Sequence, residues 1–122
     1  MIHISLSNAN YLYIEIDGKI YPGEMESAVN QFLRLASDLT SGQLLYKIEH
    51  FSLPSLSAVA IKLRHLPELF KCIQKFDRAA VVTDKKWLQT VAELEGKLMP
   101  GLEIKGFDLD NFSAAEAWLA AS

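Results

Sequence analysis

Residues 78–84 read RAAVVTD, and the reading of this stretch decides the fold. Its apolar centre is short, is bounded by polar residues and lacks the strict alternation of a strand with one wet face. Such a run suits a strand buried on both faces, as strands inside a parallel sheet are.

The neighbours of this stretch give the pattern its period. Downstream, DKKWLQTVAELEGKLM places Trp87, Leu88, Val91, Leu94 and Leu98 at helical spacing, so these residues are expected to share one apolar stripe. PGLEIKGF is then read as a last strand and NFSAAEAWLAA as a last helix, opened by a capping box of Ser113 and Glu116. Upstream, a helical pattern runs through Leu56, Val59, Leu63, Leu66, Phe70 and Ile73. Pro67 falls inside it, which kinks the helix or starts a second one after Leu66. QLLYKIEHF before it has the composition of a strand.

Further back, Met25, Ala28, Val29, Phe32, Leu33, Ala36 and Leu39 recur at three- and four-residue steps, with Pro22 near the first turn of that helix. Residues 2–20 alternate apolar and polar around the turn SNAN, the mark of an antiparallel hairpin. The order β-β-α-β-α-β-α-β-α predicts one α/β domain over 1–122. Its sheet is mixed, an N-terminal hairpin followed by mostly parallel strands, with about four helices.

Composition narrows the function classes. Twelve basic and fifteen acidic side chains leave a net charge of −3, which gives no footprint for nucleic acid or a polybasic membrane contact. No uncharged apolar run reaches the length of a membrane helix, so no integral membrane segment is expected. The start MIHISLSNANYLYIEID alternates rather than presenting a charged-then-apolar leader. One cysteine, Cys72, allows no internal disulfide and suits a reducing compartment; the expected location is the cytoplasm. Cys72 itself reads as a half-buried small hydrophobe.

The chemistry of the common motifs is missing. His3, His50 and His65 fall on different elements without metal-ligand spacing, so neither metal nor cofactor is expected. There is no dinucleotide fingerprint, no phosphate-binding loop and no nucleophile elbow. Glu93 and Glu95 are two apart on a helix and face different ways. Asp108 and Asp110 read first as caps of the helix that follows. Arg64, Glu68, Lys71 and Lys75 read first as a solvated helix face.

Geometry is more informative. In open parallel sheets ligands gather beyond the carboxyl ends of the strands, at helix N-termini. Three loops qualify here, HFSLPSLS, TDKK and GFDLDNFS. They bring Ser52, Ser55, Ser57, Thr83, Lys85, Lys86, Trp87 and Asp108 to one candidate rim for a ligand or protein partner. Hydroxyls and lysines there suit an anion, or a phosphate carried by Ser55 or Ser57. The plainer reading makes Ser55 and Thr83 or Asp84 helix caps, and Trp87 a core residue.

From Asp77 to Leu119 the pattern becomes specific. A D-R-x-A-V-V strand leads into a K-W helix; a P-G-x-E-I strand, an F-D pair and a helix carrying A-x-x-W-L follow. With the DGKI turn before the first helix, this resembles the SpoIIAA-like family, small bacterial proteins of STAS-like fold. The resemblance implies a mixed sheet of four or five strands with helices mainly on one face. Related STAS domains include antagonists of anti-sigma factors switched by serine phosphorylation after the third strand, and the similar CRAL-TRIO domains hold apolar ligands. The phosphorylation turn of the STAS pattern, close to D-S-S-G, is here PSLSA, with proline for aspartate and no glycine.

The expected function is therefore a non-enzymatic STAS-like module that binds a protein partner or a small ligand at the rim, with a homodimer as one form of partnership. The alternative is an apolar-ligand or lipid-binding protein with Phe32, Phe51, Phe70, Trp87 and Phe112 lining a cavity between helices and sheet. An enzyme ranks third, with Asp84 or Asp108 as the only sensible base.

Overall fold

The computed structural model of the chain describes residues 1–7, 10–39, 41–51, 66–97 and 101–121. Residues 78–83 of that run lie in the fourth of five strands among the described residues: β1 (Ile2–Ser7), β2 (Tyr11–Asp17), β3 (Gly42–Glu49), β4 (Phe76–Thr83) and β5 (Glu103–Phe107). They form one sheet in the order β1-β2-β3-β4-β5. β1 and β2 pair antiparallel, and every later neighbour pairs parallel. The mixed sheet and the N-terminal hairpin expected from the sequence are both present.

Because the strands follow one another across the sheet, crossovers of one hand put their helices on one face. α1 (Pro22–Ala36) links β2 to β3 and buries Met25, Val29, Phe32 and Ala36 against Leu12, Ile14 and Ile16. Pro22 opens it, where a missing N–H costs nothing. α2 (Leu66–Ile73) lies against α1 and buries Cys72, whose thiol is pushed up by that burial. It starts at Leu66 with Pro67 in its first turn, so the break falls where proline can be accommodated. The residues expected to form a helix before it, including Leu56, Val59, Leu63 and Arg64, lie outside the described residues.

α3 (Lys86–Lys97) packs on β5 and β4. Beyond β5 a 3-10 turn (Leu109–Asn111) leads into α4 (Phe112–Ala120), which crosses to the opposite face. There Ala115 and Leu119 close a second core over Leu45, Ala80 and Val82. β4 is thus covered on both sides, with Ala79 and Thr83 buried on one face and Ala80 and Val82 on the other.

Two local expectations are corrected. α4 begins at Phe112 rather than Ser113, and no side chain caps it, so the Ser113–Glu116 capping box does not form. The preceding 3-10 turn, closed by Asn111 N–H on the Asp108 carbonyl, feeds directly into the helix and takes the place of a cap.

The second correction concerns α3. Of the expected stripe Leu98 lies outside the described residues and Leu88 packs on the core, whereas Trp87, Val91 and Leu94 point away from the sheet, with 52%, 43% and 56% of each residue exposed. The side turned inward carries Gly96, where an added Cβ would lie 2.9 Å from Ile104, together with Leu88, Gln89 and Glu93. Periodicity locates a stripe on a helix without saying which side meets the sheet.

Candidate strand-end site

β4 hands the chain to α3 on one face of the sheet, whereas β5 hands it to α4 on the other. Adjacent strands whose connections diverge in this way leave a crevice beyond their carboxyl ends. Thr83, Lys86, Gln89 and Asp108 meet there.

Gln89, on the first turns of α3, lies under this mouth. Its amide donates to the carbonyls of Thr83 (2.9 Å) and Phe107 (3.1 Å) and to Asp108 Oδ1 (3.0 Å). It therefore ties together the ends of β4 and β5. Lys86 Nζ donates to the same Asp108 oxygen at 2.5 Å. The hydrogen bond from Lys86, then that from Gln89, hold the Asp108 carboxyl below the usual aspartate range. The carboxylate expected to cap the following helix makes no side-chain cap there and bonds instead with α3.

Thr83 is fully buried, and its Oγ1 accepts from the Lys85 N–H at 3.3 Å. Its hydroxyl thus serves the turn into α3, the plain role considered from sequence. Lys85, Lys86 and Trp87 are exposed. Trp87, read from sequence as a rim residue with the core as the plainer alternative, is exposed, with its ring edge-on to Phe51 at 5.8 Å between centroids. Ser52, Ser55 and Ser57 lie outside the described residues.

A second pair at the same end was not anticipated. His50 and Asp17, just past β3 and at the end of β2, bond through Nδ1 and Oδ1 at 2.9 Å. The hydrogen bond to Asp17 raises the His50 pKa, and the negative field of Glu49 and Asp84 adds to it. His50 holds a left-handed backbone, φ 49°, uncommon for a residue with a side chain. The signal lay in the sheet register, which sets Asp17 beside Glu49.

The aromatic residues considered as a cavity lining are dispersed. Phe32 stacks on Phe76 in the first core, Phe51 meets Trp87 at the rim, and Phe112 lies against Tyr13 on the opposite face. The Phe70 side chain lies outside the description. Among the described residues no group of three or more His, Cys, Asp or Glu is arranged to hold a metal ion, and no helix is long and apolar enough to cross a membrane.

Comparison with known proteins agrees with this architecture. The SpoIIAA-like family model matches residues 11–120. The chain belongs to the SpoIIAA-like family. A search of curated protein sequences returned no match. Among solved structures the chain is similar to an uncharacterized protein of the DUF3478 family, with a SpoIIAA-like fold, from Shewanella loihica PV-4. The two are 21% identical, the match covers 98% of this chain and 92% of that one, and the TM-score is 0.66. At that identity the likeness establishes the fold.

Proposed function

We propose that this SpoIIAA-like chain is a non-enzymatic STAS-like module that binds a protein partner or a small ligand at the strand-end rim. The observation that carries the reading is Trp87, exposed at the start of α3 beside Lys85 and Lys86. Tryptophan is the side chain most enriched among residues that dominate binding, and here it is held from below. Phe51 supports its ring and the Lys86–Asp108 pair fixes the turn on which it stands.

The chemistry of the rim favours binding over catalysis. Asp108, one of the two carboxylates considered as a base, accepts from both Lys86 and Gln89 and is held in its charged, weakly basic form. The two cations beside the tryptophan suit an acidic partner surface or an anionic ligand.

Affinity purification from native cells tests the reading. The tagged chain is expected to retain a protein or a small molecule that the triple variant Lys85→Ala, Lys86→Ala, Trp87→Ala loses while unfolding at the same temperature. Equal retention by both chains would remove the rim from the function.

A further inference from the structure

The two edges of the sheet are closed in the same manner. Residues at an open edge present unpaired backbone N–H and C=O groups, which invite another strand. On β1 the Met1 carbonyl accepts from Asp17 N–H on the β2 side, so Ile2 and Ile4, by the alternation of the ladder, turn theirs outward. α1 reaches over this edge. The Ile2 N–H donates to Glu24 Oε2 at 3.3 Å, and Gln31 Nε2 donates to the Ile4 carbonyl at 3.3 Å. Glu24 and Gln31 also line a shallow groove of about 300 Å³ between α1 and β1, with Ile2, Gly23, Ser27 and Ala28.

On β5 one of the outward groups, the Gly106 N–H, donates to Glu93 Oε2 of α3 at 2.8 Å. Gly106 permits this close contact, because a Cβ there would lie 2.5 Å from the Cβ of Gln89. Two helices on one face of the sheet thus each send a glutamate over the nearer edge to a backbone N–H.

We propose that α1 and α3 are edge guards. Glu24 and Gln31 on β1, and Glu93 on β5, occupy the backbone groups that a sixth strand needs, and so hold the sheet at five strands. The guarded part of β1 is its first half; Leu6, further along the same edge, is 40% exposed. Removing the guards uncovers a continuous row of edge groups from Ile2 to Leu6, and a second copy of β1 is the nearest strand able to pair with it.

Light scattering over a range of concentrations tests the proposal. The double variant Glu24→Ala, Gln31→Ala is expected to double in mass at concentrations where the native chain keeps its mass. Adding Leu6→Pro, which removes an outward donor from the edge, is expected to abolish that association. A folded double variant with the native mass at every concentration would overturn the proposal, as would association that survives Leu6→Pro. Hydrogen exchange on the native chain gives an independent reading that needs no variant. The Ile2 and Gly106 amides are expected to exchange at least about 10-fold slower than unstructured amides. Exchange at the unstructured rate at both would overturn the proposal, whatever the variants do.

Discussion

Lys86 Nζ and Asp108 Oδ1 meet at 2.5 Å across the mouth between β4 and β5, a contact spanning 22 residues of sequence. Lys86 is exposed and Asp108 half-buried, and a pair so open to solvent fixes geometry more than it stabilises the fold. Gln89 beneath them is the structural member, because its amide joins two strand ends. Gln89→Ala is expected to destabilise the chain by about 1–3 kcal/mol, since it leaves two carbonyls unpaired. Asp108→Ala is expected to leave the urea midpoint close to native. Urea unfolding of the two variants measures the contrast.

The approach of α3 to β5 depends on glycine. Gly106→Ala would drive a Cβ into Gln89 at 2.5 Å, against backbone as well as side chain. A cost of about 1–3 kcal/mol is expected, the usual range for overpacking. Gly23, on α1, has nothing within 4 Å of its added Cβ and no left-handed backbone. Gly23→Ala is therefore expected to be neutral or to stabilise by up to about 1 kcal/mol. Thermal unfolding of both variants separates the two cases.

The Tyr11 hydroxyl is buried under the second core without a hydrogen-bond partner among the described residues. Burial first, and the charge of Glu116 second, push its pKa up to about 12. An unpaired buried hydroxyl costs free energy that phenylalanine does not, so Tyr11→Phe is expected to stabilise the chain by about 1 kcal/mol. Tyr13 differs, since its hydroxyl donates to Glu15 Oε2 at 3.2 Å. Tyr13→Phe is expected to give no such gain. A lower urea midpoint for Tyr11→Phe than for the native chain would contradict this reading of the second core.

The His50–Asp17 pair makes stability depend on pH in one direction. The folded pKa of His50 lies above its ordinary value of 6.5, chiefly through the bond to Asp17. Its contribution is therefore complete below about pH 6.5 and is lost as pH rises through the folded value. The urea midpoint of the native chain is expected to exceed that of His50→Gln at pH 5.5, with the gap narrowing by pH 8.5. A gap that stays constant or widens with pH would show that the pair does not act as described.

Much of this fold was legible because its signals are local. The alternation of residues 2–20, the spacing from Met25 to Ala36 and the apolar run around Ala79–Val82 each report the environment of one element, and each element formed. The side of α3 that meets the sheet was not legible from its apolar stripe. A hint lay in Ala92 and Gly96, four residues apart, which mark where a helix backbone can approach a strand closely. The gathering of Thr83, Lys86 and Asp108 at one end of the sheet was legible from the order of strands and helices alone. Its internal pairing was not, because the Asp108 carboxylate could serve the helix after it or the helix before it, and only the packing of α3 on β5 brings Lys86 and Gln89 within reach. The edge guards escaped for the same reason, since Glu24 and Glu93 look like any other polar residue on a helix.

The central claim is that partners meet this chain at the strand-end rim. Photo-crosslinking in cells tests it most directly, with benzoylphenylalanine replacing Trp87 at the rim or Asn30 on the exposed side of α1. The expected result is a discrete protein or small-molecule adduct from position 87, absent from position 30 and lost when Lys85 and Lys86 are both replaced by alanine. No adduct at position 87, or the same adducts from both positions, would contradict the claim.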